Sequence, residues 1–159
     1  MELILWRHAE AVPGTPDADR PLTEAGKRQA AAMAAWLRPR LPAGIRILVS
    51  PATRARQTAD ALGQPYELCD AITKEQPATE LMNAADWPSN PRHVMLVGHQ
   101  PAFGELVAMI LGTSVGKWDM AKGGIWWFSD RQETEKTEVF VKAVLGPEML
   151  LQDGEAATK

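Results

Sequence analysis

Cysteine is almost missing: Cys69 is the only one in 159 residues, which excludes an internal disulfide, a thiolate zinc cage and a CxxC redox pair. Cys69 itself reads as a small buried hydrophobe, with a reactive thiol as the alternative. Neither sign of charge is in large excess. The 17 Lys and Arg against 20 Asp and Glu leave a formal charge of −3, too weak and of the wrong sign for a general nucleic-acid binder, although a small basic site stays open. No uncharged run approaches the roughly 18 apolar residues of a membrane helix, and Glu2 followed by Leu3-Ile4-Leu5-Trp6-Arg7 is no signal peptide. The expectation is a cytoplasmic protein with neither membrane nor nucleic-acid partner. Two motif readings also fail. Gly123-Gly124 runs into Ile125 rather than Lys-Ser or Lys-Thr, so there is no P-loop. His8-Ala9-Glu10 matches the H-x-E of zinc deaminases, but the cysteine pair that must accompany it does not exist.

What is present describes an ordinary folded chain, 45% hydrophobic and 23% charged. A chain of this length buries roughly 70% of its unfolded surface around one core, so residues 1–152 are read as a single domain. The small polar residues 153–159 are read as a disordered tail. Leu3-Ile4-Leu5-Trp6 is a short apolar run of the kind a buried strand shows. Ala9 to Pro21, with four Pro or Gly positions, reads as a loop. Thr23 can cap a helix from Glu24 to about Leu37, on which Ala30, Met33, Ala34 and Leu37 form one apolar stripe.

Ile45 to Val49 is a second strand. Ser50 is then a cap and Pro51 a first helical residue for a helix running to about Leu62. Tyr66 to Leu68 is a short strand, and Asp70 to Pro91 carries no readable pattern. His93 to Val97 is a third apolar strand, followed by a turn and a helix opening at Pro101 and stopped by Gly112. Gly124 to Phe128 and Glu138 to Leu145 are read as an antiparallel pair, with Val139, Val141, Ala143 and Leu145 alternating onto one face. Trp126 and Trp127 must point to opposite sheet faces, and the six tryptophans read as core and rim packing rather than a cofactor box. Strands alternating with helices predict an α/β fold, a three-layer αβα sandwich around a mostly parallel central sheet.

Parallel strands bring their carboxyl ends together, and in open α/β sheets ligands bind in the crevice outside those ends. Here His8 follows strand one, Ser50 strand two and His99 strand three. Helices opening near Pro51 and Pro101 aim their N-termini at the same crevice, a setting that favours anions. Arg54, in the first turn of the second helix, can reach back and with Arg7 form a two-arginine clamp for phosphate oxygens. Taken singly, each of Arg7, His8, Arg54 and His99 is an ordinary solvated charge or satisfied histidine. Two of only three histidines at equivalent strand ends, each beside anion-binding groups, point instead to a site. Arg56 is expected to point elsewhere, and His93 to be structural.

Four blocks carry a resemblance: LILWRHAEA at Leu3 to Ala11, RPLTEAGKRQA at Arg20 to Ala30, SPATRARQTA at Ser50 to Ala59 and VGHQP at Val97 to Pro101. In this order and spacing they resemble the histidine phosphatase (phosphoglycerate mutase-like) superfamily, and within it the small SixA-type phosphohistidine phosphatases. The likeness spans nearly the whole chain up to about Ala108 and implies a phosphoglycerate mutase-like fold. It implies that His8 attacks phosphorus and is transiently phosphorylated, while Arg7, Arg54 and His99 hold the phosphate. Two arginines, a histidine and helix N-termini compensate the charge on the equatorial oxygens, so no metal or cofactor is implied. Ala9 stands where many members have glycine.

The acid that protonates an ester leaving group is harder to place. Glu80, in Ala78-Thr79-Glu80-Leu81-Met82, sits where small members carry a Glu-Leu segment and is a candidate acid or water-activating base, with a solvated loop carboxylate as the alternative. Glu10, two residues past the candidate nucleophile, is expected to face away. Asp70 to Pro91 leaves little material for a lid, so an open crevice is expected, one that admits a protein side chain. The expected substrate is phosphohistidine in a signalling or phosphotransfer protein. A broad small-molecule phosphomonoesterase, acting on a small phosphorylated substrate, is the alternative among enzymes, and a catalytically idle phosphoprotein-binding module the alternative of another class. Oligomeric state and any substrate contact by Arg20 or the Trp87 to Pro91 loop stay open.

Overall fold

The structure, a computed structural model, describes residues 1–88, 91–133 and 136–152. The expected tail 153–159 lies outside the described residues, as do Ser89 and Asn90 of the Trp87 to Pro91 loop. Six strands form one sheet: β1 (Glu2–Arg7), β2 (Arg46–Val49), β3 (Glu67–Leu68), β4 (Val94–Gly98), β5 (Ile125–Glu133) and β6 (Lys136–Leu145), in the order β3-β2-β4-β1-β5-β6. The first four are parallel, and β5 and β6 close one side as an antiparallel pair. Connections between parallel strands need a crossover, and α1 (Glu24–Leu37), α2 (Thr53–Asp60) and α3 (Ala78–Ala85) supply them, while α4 (Ala102–Leu111) leads from β4 to the antiparallel β5.

Alternation along the strands decides the layers. Leu3 and Leu5 of β1 face Ala78 and Leu81 of α3 and Phe103, Leu106 and Val107 of α4. Ile4 and Trp6 face the other way, against Met33, Ala34 and Leu37 of α1 and Ala55 and Ala59 of α2. The result is the expected αβα sandwich, with Trp126 packed against the first cluster and Trp127 in the second. The α1 boundaries match the expectation, and the Thr23 hydroxyl accepts the Gly26 N–H at 2.9 Å. Gly112, at φ 61°, ends α4 in the left-handed conformation that favours glycine. His93 is structural as read, its Nδ1 accepting the Glu2 N–H at 3.1 Å.

Four local expectations are corrected. The second helix opens at Thr53 rather than Pro51 with Ala52 as its cap residue, and the Ser50 hydroxyl, two residues ahead of that cap, accepts the Ala52 N–H at 3.4 Å while bonded to His99 at 2.7 Å. The stretch from Asp70, read as unpatterned, contains α3, which buries Ala78, Leu81 and Ala85 with Met82 packed beside them, an i, i+3, i+4, i+7 stripe. Cys69 is half-buried, packed against the edge of the α3–α4 cluster.

The fourth correction concerns the last hairpin, where β5 and β6 extend past the expected bounds. Their pairing skips a residue of β6 between Trp127↔Ala143 and Phe128↔Val141. Such a bulge resets the alternation, so Ala143 and Leu145 pack on the core while Val139 and Val141 do not, Val141 being 46% exposed. A fully buried strand residue and an edge residue should therefore differ sharply. Leu48→Ala in β2 is expected to cost about 2–5 kcal/mol of unfolding free energy, and Val144→Ala on β6 within about 0.5 kcal/mol of none. Urea titrations of both variants at a common slope check this.

Candidate active site

Register builds the site. Arg7 lies opposite Gly98 in the β1–β4 ladder, so His8 and His99 are the next residues along neighbouring parallel strands. The His8 N–H donates to the Gly98 carbonyl at 3.0 Å and the Ser50 N–H to that of Val97 at 3.0 Å, which levels the ends of β1, β4 and β2. The two imidazole centroids are 5.2 Å apart. Arg54 enters from the first turn of α2 and is only 1% exposed. Its Nε donates to His8 Nε2 at 3.3 Å, and one NH2 group lies 3.3 Å from His99 Nδ1. The structure thus brings Arg7, His8, Arg54 and His99 together around one open cavity of about 200 Å³.

The loop leaving β1 is fixed by side chains from two helices. Thr58 of α2 accepts the Ala9 N–H at 3.0 Å and donates its own proton to the Arg54 carbonyl at 2.7 Å. Gln29 of α1 accepts the Glu10 N–H at 3.0 Å. Gly26 lets α1 approach this loop, since a Cβ there would fall 2.0 Å from the Glu10 carbonyl oxygen. Glu10 does turn away from the cavity, its carboxylate accepting the Thr23 hydroxyl at 2.7 Å.

These contacts set the tautomers. His8 Nδ1 lies 2.8 Å from the Ala9 carbonyl, an acceptor only, so Nδ1 carries the proton and the Nε2 lone pair accepts from Arg54 Nε. Burial pushes the His8 pKa down to about 3, and the charges of Arg54, Arg7 and Arg20 add to this against the Ala9 bond. Burial likewise brings His99 down to about 3, helped by His8 and Arg54 and opposed by Asp17. Both rings are neutral near pH 7. Arg7 donates to the Met120 carbonyl, while its Nε is buried without an acceptor. A buried donor left unpaired is costly, and an anion's oxygen is the natural partner for it.

Several residues at the site are not among the four candidates, although Arg20 opens the second block and Gln100 lies in the fourth. Arg20, Lys74, Gln100 and Lys122 line the same cavity. Asp17 holds Arg54 through both its carbonyl, at 2.8 Å, and its carboxylate, at 3.0 Å. Although its partial burial alone would raise the Asp17 pKa, the Arg54 bond and the charges of Arg54, Lys74 and Arg20 keep it below the ordinary value. The spacing Asp17 to Arg20, at the opening of the second block, is the only signal that could have marked the pair. Glu80 is not brought in: it sits exposed in the first turn of α3 and does not line the cavity. Arg56 is exposed and outside the lining, as expected. Of the described residues in the Trp87 to Pro91 loop, none lines it either.

Comparison with known proteins agrees with this geometry. The family model of the histidine phosphatase superfamily (branch 1) matches residues 3–76. An uncharacterized Mycobacterium tuberculosis protein is 34% identical over 112 residues, covering 68% of this chain and 71% of that protein. The phosphohistidine phosphatase SixA of Escherichia coli is 31% identical over 117 residues, covering 68% of this chain and 73% of the enzyme. The fold is shared with the solved structure of the protein histidine phosphatase SixA complexed with tungstate, at a TM-score of 0.79 and 24% identity over 95% of this chain and all (100%) of that one. Among the described residues, no helix is long and apolar enough to cross a membrane. With a strand-end His pair, a buried arginine and these relatives in agreement, the chain belongs to the histidine phosphatase superfamily, as a phosphatase of its SixA type.

Proposed function

We propose that this phosphatase removes phosphate from phosphohistidine in a signalling or phosphotransfer protein of the cytoplasm, through a transient phosphoryl group on His8. The observation that carries the reading is the unprotonated His8 Nε2, set by the Nδ1 contact to Ala9 and held by Arg54 Nε, at a cavity whose lining has five cations and no acid. Neutral imidazole attacks phosphorus without the repulsion a carboxylate would meet. Arg7, with its unpaired Nε, and Arg54 take the equatorial oxygens, and His99 completes the phosphate ligands. Arg54 turns its Nε–H from His8 Nε2 to a phosphoryl oxygen; as the freed lone pair bonds to phosphorus, the phosphoramidate bond of the substrate breaks, and the departing imidazole takes a proton from solvent at the open mouth. Water then attacks the phosphorylated His8 and releases inorganic phosphate.

A nitrogen leaving group protonates readily, so the scheme asks for no positioned acid. That fits a lining without a carboxylate, and it leaves Glu80 out. An ester would require such an acid. Nor does the scheme ask for a metal, because the two arginines supply the positive charge a metal would otherwise bring.

The decisive experiment measures phosphate release, in the presence of a chelator, from a histidine-phosphorylated carrier protein and from p-nitrophenyl phosphate. Fast turnover of the phosphoprotein, a poor ester rate and a loss of at least about a thousandfold in His8→Ala are expected. A preference for the ester would discard the substrate, and full activity in His8→Ala would discard the nucleophile.

Protonation is a separate check. An imidazole that titrates near 6.5 in the unfolded chain and near 3 in the folded one binds more protons when unfolded across that interval. The stability contributed by His8 and His99 is therefore complete above about pH 6.5 and is lost as the pH falls toward about 3. In NMR titrations, the ring signals of both residues are expected to stay constant from about pH 7.5 to about pH 5. A midpoint near the ordinary value for either ring would contradict the buried neutral pair.

A further inference from the structure

Beyond the groups assigned to the reacting phosphoryl, the cavity is lined by Arg20, Lys74 and Lys122. They come from three separate stretches: the loop ahead of α1, the turn ahead of α3 and the turn ahead of β5. Their setting differs from that of the floor. Arg54 and His99 are buried, whereas the Lys74 side chain is 50% exposed and Lys122 is exposed, so these cations form a rim at the mouth.

The charge at this mouth is not accounted for by the fold. Asp17 is ion-paired with three of these cations, Arg54 at 3.0 Å, Arg20 at 3.0 Å and Lys74 at 3.6 Å, and Asp119 acts on Arg7 through its charge. Among the described residues, Lys122 has no ion-pair partner. Even with a phosphoryl dianion bound, it, Asp17 and Asp119 together supply four negative charges against the five lining cations. They gather here in a chain whose net charge is −3. Like charges collected at one mouth repel one another, and such a field earns its place by drawing in and orienting an opposite charge.

We propose that the rim formed by Arg20, Lys74 and Lys122 docks acidic side chains that flank the phosphorylated residue on the partner protein. The inference rests on the phosphohistidine reading and adds the chemistry of the surface that presents it. The floor reads the phosphoryl group, which every substrate of this class shares. The rim reads what surrounds it, so selectivity among phosphoproteins resides in Lys74 and Lys122. Because the rim is solvated, its contribution is screened by salt, while that of the buried floor is not.

Two synthetic phosphohistidine peptides of equal length test this, one with aspartates on both sides of the phosphohistidine and one with serines. At low ionic strength the acidic peptide is expected to show about tenfold higher kcat/KM. The gap should close in about 0.5 M NaCl and in the Lys74→Gln/Lys122→Gln double variant. Equal kcat/KM values for the two peptides, or a gap that survives in the double variant, would overturn the inference. Binding of both peptides to His8→Ala reads the rim without turnover: about tenfold tighter binding of the acidic peptide supports it, and equal affinities overturn it. If the wild type hydrolyses neither peptide and yet the acidic one binds tighter, the phosphohistidine reading fails and the rim stands.

Discussion

A positive charge at the floor of the crevice governs the rest of the site. Arg54 is almost wholly removed from water, and a guanidinium in that position is tolerable only if its donors find acceptors. It finds them in His8 Nε2, in both oxygens that Asp17 offers and in the neighbourhood of His99. Both imidazoles can act as acceptors only while neutral, a state that burial imposes first and the charge of Arg54 reinforces. The loop from Ala9 to Pro21 is shaped by the same need, since it must fold back far enough to lay Asp17 on Arg54.

The sheet supplies the precision. Because β1 and β4 are adjacent and parallel, the residue that follows each strand is delivered to the same level without any special loop geometry. His8 and His99 are separated by ninety-odd residues of chain yet stand on neighbouring strands, and Arg54 reaches them from the helix that β2 feeds. Rigid elements place the reacting groups, while the rim cations ride on turns, an arrangement that suits a fixed chemistry and an adaptable surface.

Much of this was readable in the amino-acid order because it depends on short-range signals. Apolar runs ending in Arg7-His8 and Gly98-His99, and the Thr23 cap, announce both the element and where it stops. What escaped depends on the third dimension. Ser50 has the composition of a cap, and only the fold shows that its hydroxyl is shared between the Ala52 N–H and His99. The α3 stripe of Ala78, Leu81, Met82 and Ala85 has the helical spacing but lasts only two turns amid polar residues and prolines, and the phase of β6 was lost at a bulge that leaves no mark in composition. Asp17 and Lys74 lie in loops whose polar residues look alike until folding brings some of them to the cavity mouth.

Thr58 shows how tightly one side chain can be constrained by two neighbours. Its hydroxyl takes a proton from the Ala9 amide and gives one to the Arg54 carbonyl, so the backbone beside His8 and the backbone of Arg54 meet at a single buried oxygen. Valine would keep the volume and lose both bonds, leaving the Ala9 amide buried and unpaired; alanine would lose the volume as well. Serine alone preserves the oxygen. The position therefore admits a narrower set of residues than the apolar Ala55 and Ala59 on the same helix, even though it touches no substrate.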